Sequence, residues 1–278
     1  MPHASARISP TAHYTGYTWL AHGLSHPALA TPSGRFLYRA LRPANRLLRA
    51  AGKPNLDGML LARHRLIDAA LIAAVERGDV SQVIEVASGL SPRGWRFARD
   101  YGDQITYVEA DLPGMAATKR AALGRIAGAG ARPRVVELDA TADAGPTSLA
   151  ALVDTLDPRR GTAIVTEGLL NYFEPVAVAR MWRRFAGALA RFPRGLYLAD
   201  LHLADAAGPV ERLFAGALGV FVRGRVHFHF ADAAAAAREL AIAGFATAAL
   251  DDPAAAQLPE LDRASARFVR IVRATTGG

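Results

Sequence analysis

The sequence predicts an α/β fold built on a doubly wound sheet of seven strands, five of them parallel and the last two forming a C-terminal antiparallel hairpin. From Val83 onward, short β-branched runs alternate with alanine-rich stretches of helical length, the pattern of crossover helices that cover both faces of a parallel sheet. The last two predicted strands have no predicted helix between them, and strands joined in this way pair antiparallel. The sheet is therefore predicted to be Rossmann-like, without the additional crossover helix that a dinucleotide-binding sheet needs there.

The five parallel strands are predicted from runs that are apolar enough for burial on both faces of the sheet. They cover Val83 to Val86, Thr106 to Ala110, Arg134 to Leu138, Thr162 to Thr166 and Gly195 to Leu201. A helix from Ala231 to Ala243 follows and is ended by Gly244, because glycine adopts the left-handed conformation of a helix C-terminus without strain. The hairpin strands are predicted at Phe245 to Leu250 and Arg267 to Arg273.

Two segments lie outside this alternation. Residues 1 to 56 contain aromatic residues and histidines among Gly and Pro, and we expect them to form an N-terminal helical cap. The cap precedes a domain of residues 57 to 278, which begins with a long helix from about Asp57 to Arg77. An insertion at about 204 to 230 follows the fifth strand and is expected to shape a substrate site.

The composition bounds the class of protein. With 278 residues, of which 51% are hydrophobic, the chain is long enough to bury a large core. No run approaches the roughly 18 apolar residues of a membrane span, and the first residues lack the apolar centre of a signal peptide. We therefore expect a cytoplasmic protein with no membrane partner. The absence of cysteine excludes disulfides, thiolate metal sites and a cysteine nucleophile.

The net charge of +8 raises the question of an anionic partner, because dense positive charge attracts phosphates. The only lysines are Lys53 and Lys119, and the arginines are scattered in sequence with no run of five or six. Basic residues distributed in this way argue against a nucleic-acid partner.

A tight turn follows the first strand and is the first candidate for a ligand site. The strand contains Glu85, and the turn contains Ala87 and Gly89. A glycine in such a turn lets the backbone approach a ligand because it has no Cβ. The dinucleotide pattern G-x-G-x-x-G is absent, with Ala87 at its first glycine, which argues against pyrophosphate binding. An ordinary strand-to-helix turn remains an alternative reading.

Carboxylates follow the second and third strands. Doubly wound folds place an acid at the end of the second strand to accept hydrogen bonds from ribose hydroxyls. Asp111, followed by Leu112, is favoured over Glu109 because it lies at the exit of the strand. Asp139, followed by Ala140, ends the third strand; it suits either a nucleoside base or the N-cap of the next segment.

An acid and an arginine complete the candidate binding set. Glu167, followed by Gly168, ends the fourth strand in an apolar strand-to-helix junction, where a carboxylate needs a partner or a ligand. Arg63 lies at the edge of the apolar stripe of the first long helix, and its planar fork suits a ligand carboxylate bidentately. A structural ion pair between Glu167 and an arginine is the alternative.

Four segments together resemble the leucine carboxyl methyltransferase-like family of class I S-adenosylmethionine-dependent O-methyltransferases. They are Ala62 to Asp68, Val83 to Leu90, Tyr107 to Pro113 with Lys119, and Glu167 to Tyr172. Their order and spacing both match over residues 57 to 202. The family includes enzymes that methylate a protein's terminal carboxylate and bacterial O-methyltransferases associated with polyketide pathways.

The resemblance implies S-adenosylmethionine as cofactor and a small molecule as methyl acceptor. It implies that the cofactor is held along its whole length. Arg63 and Glu167 with Gly168 would bind its amino-acid end, and Glu85 and the turn at Ala87 and Gly89 would line its middle. Asp111 with Leu112 would bind the ribose, and Asp139 with Ala140 would flank the adenine. This sequence departs from the family turn Gly-x-Gly-Leu-Asp at two positions, where Ala87 replaces a glycine and Ser91 replaces the aspartate. A catalytically silent, cofactor-binding or regulatory module is therefore the alternative reading.

Catalytic groups are needed only for some acceptors, because the methyl donor is already activated. A carboxylate acceptor is ionised at neutral pH, whereas a hydroxyl calls for a general base, for which His202, just beyond the fifth strand, is the candidate. Tyr172 is the second candidate for a catalytic residue. Tyr14, Tyr17, Trp19 and Tyr172 are predicted to line an aromatic acceptor pocket. His227 and His229 lack a third ligand nearby in sequence, so no metal site is predicted.

Overall fold

The structure is a computed structural model that describes residues 10–128, 130, 132–203, 229–253, 258 and 261–277. The insertion predicted at 204 to 230 lies outside the described residues, apart from its last two, as does His227. In the part of the chain that is described, no helix is both long and apolar enough to cross a membrane.

Seven strands form one sheet with the order β3-β2-β1-β4-β5-β7-β6. They are β1 (Gln82–Val86), β2 (Thr106–Asp111), β3 (Arg134–Glu137), β4 (Thr162–Thr166), β5 (Gly195–Leu201), β6 (Thr247–Asp251) and β7 (Arg270–Thr276). The first five are parallel, and β7 runs antiparallel between β5 and β6. The predicted fold class is confirmed.

The register of the sheet brings three strand ends together. Val86, the last residue of β1, pairs with Ala110 of β2 on one side and Thr166 of β4 on the other. The strand order reverses between β1 and β4, and such a switch point opens a crevice at the carboxyl edge of the sheet. Side chains that follow these three strands therefore meet at one crevice.

The C-terminal hairpin differs from the prediction in two respects: β6 and β7 begin two and three residues later than predicted, and a short helix lies between them. β7 begins at Arg270, because the residues just before it form a short helix, Arg263–Ala266. The helix begins at Asp262, whose side chain accepts from the backbone N–H of Ser265. Ser265 Oγ in turn accepts from the backbone N–H of Asn55 at 3.0 Å. This long-range contact shifts the strand toward the C-terminus.

Nine helices are described around the sheet. They are α1 (Pro10–Ala21), α2 (Pro32–Ala50), α3 (Leu56–Glu76), α4 (Arg93–Tyr101), α5 (Pro113–Gly124), α6 (Leu149–Val153), α7 (Pro175–Leu189), α8 (Ala233–Ala243) and α9 (Arg263–Ala266). Thr31 and Asn55 cap α2 and α3 with side-chain acceptors, and α8 ends at Gly244 with φ +110°, as its sequence predicts. Short 3-10 turns occur at 27–29, 102–104 and 170–172.

Apolar residues pack on both faces of the sheet. Trp182 and Phe185 of α7 are buried beneath one face, and Ile67 and Leu71 of α3 are buried beneath the other. The helices thus remove both faces of β1, β2, β4 and β5 from water, which is the main stabilising contribution in such folds. The prediction of burial on both faces is wrong for β3, which lies at the edge of the sheet and exposes Arg134 and Glu137.

The N-terminal helices lie against the carboxyl edge of the sheet. Tyr14 of α1 donates to Asp57 Oδ1 at 2.5 Å and accepts from Asn45 Nδ2 at 2.8 Å, which ties α1 to α2 and α3. Gly16 approaches the turn after β1 so closely that an added Cβ would lie 3.1 Å from Leu90 Cβ. The predicted helical cap is therefore present and covers this turn, although its status as a separate domain stays a prediction.

Candidate functional site

The turn after β1 has a strained backbone. Gly89 has φ +51°, and Ala87 has φ +56°, the only positive φ of a non-glycine residue in the described ranges. A Cβ added to Gly89 would meet no atom closer than Ala12 Cβ at 4.0 Å, so the backbone angle, rather than crowding, favours glycine there. Ala87 carries a left-handed conformation that costs an alanine roughly 1 kcal/mol or more.

Asp111 lies beside this turn, at the exit of β2. Its Oδ2 accepts from the Gly89 backbone N–H at 2.7 Å, and its Oδ1 accepts from the Leu112 backbone N–H at 2.8 Å. Burial raises the pKa of Asp111, against the lowering effect of these two hydrogen bonds. Each carboxylate oxygen keeps a second lone pair for a ligand. Leu112 exposes its apolar side chain next to it.

Glu109, the alternative to Asp111, is fully buried and pairs with Lys119 Nζ at 3.0 Å. Burial raises the pKa of Glu109 to about 7. Lys119 also donates to the backbone carbonyl of Ser91 at 2.5 Å. Of the two acids of β2, Asp111 is the one that faces the crevice.

Asp139 follows β3 and is half-buried with Ala140. Its Oδ1 accepts from the backbone N–H and the hydroxyl of Thr141, at 2.8 and 2.6 Å. This oxygen therefore closes a local turn, as the capping alternative predicts. A role toward a nucleoside base stays a prediction.

Arg63 reaches from α3 to the ends of β4 and β5. Its Nε lies 3.1 Å from Glu167 Oε1, and its Nη1 lies 3.5 Å from Asp200 Oδ2. Gly168 has φ +65°, and a Cβ there would lie 2.8 Å from Arg63 Nη2. Glycine is favoured at this position by the positive φ and because an added Cβ would displace the guanidinium that lies against the backbone. In this arrangement Glu167 forms the arginine ion pair that was the alternative to a ligand role.

Arg93, the first residue of α4, was not identified from the sequence. It is fully buried and forms ion pairs with Asp68, Glu85 and Glu167, with N···O distances of 2.5, 2.5 and 2.6 Å. Glu85 consequently faces the interior: it is 1% exposed and also accepts from Tyr107 at 2.9 Å. The signal in the sequence was Glu85 itself, since an acid inside an apolar strand needs a buried cation.

His64 completes this buried cluster, to which Arg96 also belongs through an ion pair with Asp68. We call it the Arg93 cluster (Arg63, His64, Asp68, Glu85, Arg93, Arg96, Glu167 and Asp200). His64 Nδ1 lies 2.8 Å from Glu167 Oε2, and its ring packs on Trp19 with centroids 4.8 Å apart. Burial raises the pKa of Glu167, but the neighbouring His64, Arg93 and Arg63 outweigh this effect and hold that pKa below its usual range. Glu167 is therefore a carboxylate at the base of the crevice.

A small cleft opens next to Arg63. Its walls include Tyr14, Arg63, Tyr172 and His202. His202 Nδ1 lies 2.8 Å from the carbonyl oxygen of Phe268; because a carbonyl only accepts, Nδ1 carries the hydrogen and Nε2 is left as an acceptor. Burial is the main cause that lowers the pKa of His202, so this imidazole is neutral at pH 7.

The four predicted aromatic residues do not form one pocket. Tyr14 and Tyr172 line the cleft described above, whereas Tyr17 lines a separate cleft beside α2 and packs on Tyr38. Trp19 packs against His64 and is 5% exposed. Residues two apart on a helix point in nearly opposite directions, so Tyr17 and Trp19 diverge on α1.

Solved methyltransferases share the fold of this chain. A protein from Thermobifida fusca YX that is named as a methyltransferase superposes with a TM-score of 0.65 at 14% identity. The superposition covers 97% of this chain and 96% of that protein. A DUF574 family protein from Streptomyces avermitilis MA-4680 has a TM-score of 0.65 at 15% identity, covering 98% of both chains. The magnesium protoporphyrin IX methyltransferase of Synechocystis PCC 6803, solved with bound S-adenosylhomocysteine, has a TM-score of 0.52 at 13% identity, covering 87% of this chain and 100% of its own.

The family follows from the sequence. The leucine carboxyl methyltransferase family profile matches residues 26–186, and the chain belongs to that family, which confirms the resemblance of the four segments. A protein of Mycobacterium avium (strain 104), assigned by name to the S-adenosyl-L-methionine-dependent methyltransferases, is 35% identical over 123 residues, or 44% of this chain. One of Mycolicibacterium gilvum (strain PYR-GCK) is 37% identical over 126 residues, or 45% of this chain. These matches span 37% and 39% of the lengths of the two relatives.

Proposed function

We propose that the chain is an S-adenosylmethionine-dependent O-methyltransferase that acts on a carboxylate or hydroxyl of a small molecule of secondary-metabolite type. One observation carries the proposal. Asp111 and Glu167 follow the two strands that flank β1, on either side of the turn at Gly89, and Arg63 reaches Glu167 from α3. Hydroxyl, ammonium and carboxylate groups each find a partner of suitable chemistry within this one crevice.

The residues present fit the cofactor. Asp111 offers free lone pairs for ribose hydroxyls, and Leu112 offers apolar surface to adenine. Ser88, in the turn, is 5% exposed, and its buried hydroxyl has no hydrogen-bond partner among the described residues; a polar group of a bound ligand would satisfy it. Two further findings support S-adenosylmethionine as the cofactor. The relatives are assigned by name to S-adenosyl-L-methionine-dependent methyltransferases, and one structural neighbour was solved with bound S-adenosylhomocysteine.

Arg63 and Glu167 would take the amino-acid end of the cofactor. Glu167 Oε1 is occupied by Arg63, and Oε2 by Arg93 and His64. When Arg63 turns to a ligand carboxylate, Oε1 becomes free to accept from an ammonium group, while Arg93 keeps the other oxygen in place. The ion pair between Arg63 and Glu167 thus holds both side chains ready for a zwitterionic ligand.

The acceptor would lie in the cleft of Tyr14, Tyr172 and His202. When bound, S-adenosylmethionine supplies an already activated methyl group, so the protein has mainly to orient the acceptor and exclude water. For a hydroxyl acceptor, neutral His202 would take the proton at Nε2, because Nδ1 is held by the Phe268 carbonyl. A carboxylate acceptor needs no base.

A calorimetric titration with S-adenosylmethionine and S-adenosylhomocysteine tests the cofactor, and transfer of a labelled methyl group to a panel of small carboxylic acids and phenols tests the activity. We expect binding of both ligands and labelled product from at least one acceptor class. Binding without any transfer would favour the silent cofactor-binding module, for which Ala87 at φ +56° is the supporting observation. No binding at millimolar concentration would refute both functions.

A further inference from the structure

Helix α2 carries a stripe of arginines that only the helical fold reveals. Arg35, Arg39, Arg42, Arg46 and Arg49 recur with spacings of four and three residues, which places them within an arc of about 80° on one face of a helix. All five are exposed. From Arg35 to Arg49, a rise of 14 residues along the helix, the stripe extends about 21 Å.

Acidic residues do not neutralise this stripe. Helix α2 contains no Asp or Glu, and within the described ranges none of the five arginines forms an ion pair with a carboxylate. Arg35 lies over the ring of Tyr17, 5.9 Å from its centroid, and this contact leaves its charge in place. The face therefore presents five uncompensated positive charges.

An apolar stripe runs beside the arginines. Phe36, Ala40, Pro43 and Leu47 follow the same spacing one residue further along and are exposed, and Phe36 and Leu47 each expose 72% of their surface. A cleft next to the N-terminal half of α2 continues this apolar surface, with walls that include Leu20, Pro27 and Phe36. The buried side of α2, with Gly34 and Asn45, lies opposite the boundary between the two stripes.

We propose that α2 is a docking surface for an anionic phospholipid bilayer, with the arginines at the headgroup phosphates and Phe36 and Leu47 inserted between the lipids. A helix with arginines and exposed aromatic and aliphatic residues on adjoining stripes is the pattern of helices that lie in a membrane interface. No membrane partner was predicted from the sequence, because that prediction considered only segments that could cross a membrane. The inference concerns binding to the surface, and it stands independently of the proposed methyl transfer.

Other occupants fit the surface less well. A second copy of the chain would bring five arginines against five, and like charges repel. A nucleic acid would satisfy the arginines through its phosphates but would leave the two most exposed apolar side chains of α2 in water. A bilayer uses both stripes at once.

Flotation of the purified full chain with vesicles tests the proposal. Vesicles of phosphatidylcholine alone are compared with vesicles that also contain phosphatidylglycerol, at low and high salt. We expect binding only to the anionic vesicles, weakened by salt. Each arginine near an anionic surface changes the partition coefficient by about fivefold, so the triple variant Arg39→Gln, Arg42→Gln, Arg46→Gln is expected to bind about 100-fold more weakly.

A charge-matched control is available on another face. Arg180, Arg183 and Arg238 are exposed, and the triple variant of these residues to Gln removes the same charge without touching α2. It is expected to bind vesicles within a few-fold of the original chain. An equal loss in both triple variants would overturn the proposal, because binding would then depend on total charge.

The apolar stripe has its own test. Phe36→Ser with Leu47→Ser is expected to weaken vesicle binding at least tenfold while leaving all five arginines in place. Unchanged vesicle binding in this double variant, failure of the original chain to bind anionic vesicles, or tighter binding to duplex RNA than to vesicles would each overturn the proposal. Circular dichroism of every variant reports whether the fold is retained.

Discussion

Arg93 and Glu167, 74 residues apart in the chain, are joined by a 2.6 Å ion pair inside the protein. The pair holds one oxygen of Glu167 while Arg63 contacts the other. An arginine of α4 thereby positions the carboxylate that ends β4. The proposed binding groups consequently depend on a residue that faces the interior, beneath the crevice.

Replacement of Arg93 by Met is expected to destabilise the fold strongly. Glu85 would lose its arginine partner in a fully buried environment, and Asp68 would keep only Arg96 of its two arginines; leaving a buried charge without its partner costs about 3–5 kcal/mol. Urea unfolding followed by circular dichroism measures the effect. Arg191→Met, which breaks only an exposed pair with Asp154, is the control and should unfold like the original chain. A small effect of Arg93→Met would show that the cluster does not support the fold.

Gly168→Ala is expected to weaken cofactor binding at least tenfold, because the new Cβ would lie 2.8 Å from Arg63 Nη2 and displace the guanidinium. Gly78→Ala is a matched control: its φ is +74°, close to the +65° of Gly168, but a Cβ there meets no atom within 4 Å. Both variants should lose about 1–2 kcal/mol of stability from the positive φ. Calorimetric titration separates them, and equal affinities would argue against a binding role for Arg63.

Asp111→Ala and Arg63→Ala are each expected to reduce cofactor affinity by an order of magnitude or more while the fold is retained. Asp111 would lose the acceptors proposed for ribose, and Arg63 the donors proposed for the methionyl carboxylate. Asp154→Ala, at an exposed position, serves as the control. If both variants bind S-adenosylhomocysteine as tightly as the original chain, the assigned roles are wrong.

Ala87→Gly is expected to stabilise the fold by about 0.5–1 kcal/mol. Glycine relieves the strain of φ +56°, and part of the gain is offset by the greater freedom of glycine in the unfolded chain. Ala190→Gly, at φ −63°, gives the opposite sign because no strain is relieved there. Denaturant midpoints measure both. A destabilised Ala87→Gly variant would show that the turn is not strained.

The rate of transfer to a hydroxyl acceptor is expected to fall as the pH is lowered through the pKa of His202, which lies below its usual value because of burial. The neutral form accepts the proton and is present above that pKa, so protonation at lower pH removes the base. Transfer to a carboxylate acceptor should lack this dependence. A pH profile of labelled-methyl transfer in the original chain and in His202→Gln provides the measurement; identical profiles would exclude His202 as base.

Much of the fold was predictable because its signals are local. The strands β1, β2 and β4 are short apolar runs ended by an acid or a turn. Helix α8 ends at Gly244, as predicted from the preference for glycine at helix C-termini. Asp111 and Glu167 were identified because parallel strands bring their carboxyl ends to one edge. The start of β7 was misplaced by three residues, because the contact between Ser265 and Asn55 spans 210 residues.

The sequence by itself determined the parallel strands, the hairpin at the end of the sheet and the acids at the ends of β2 and β4, since periodicity and turn residues act over a few positions. The tertiary structure alone decided which cation Glu85 and Glu167 share and which ring nitrogen of His202 is held by Phe268. These relationships depend on packing between elements that are distant in the chain, where the cost of burying an unpaired charge selects the partner.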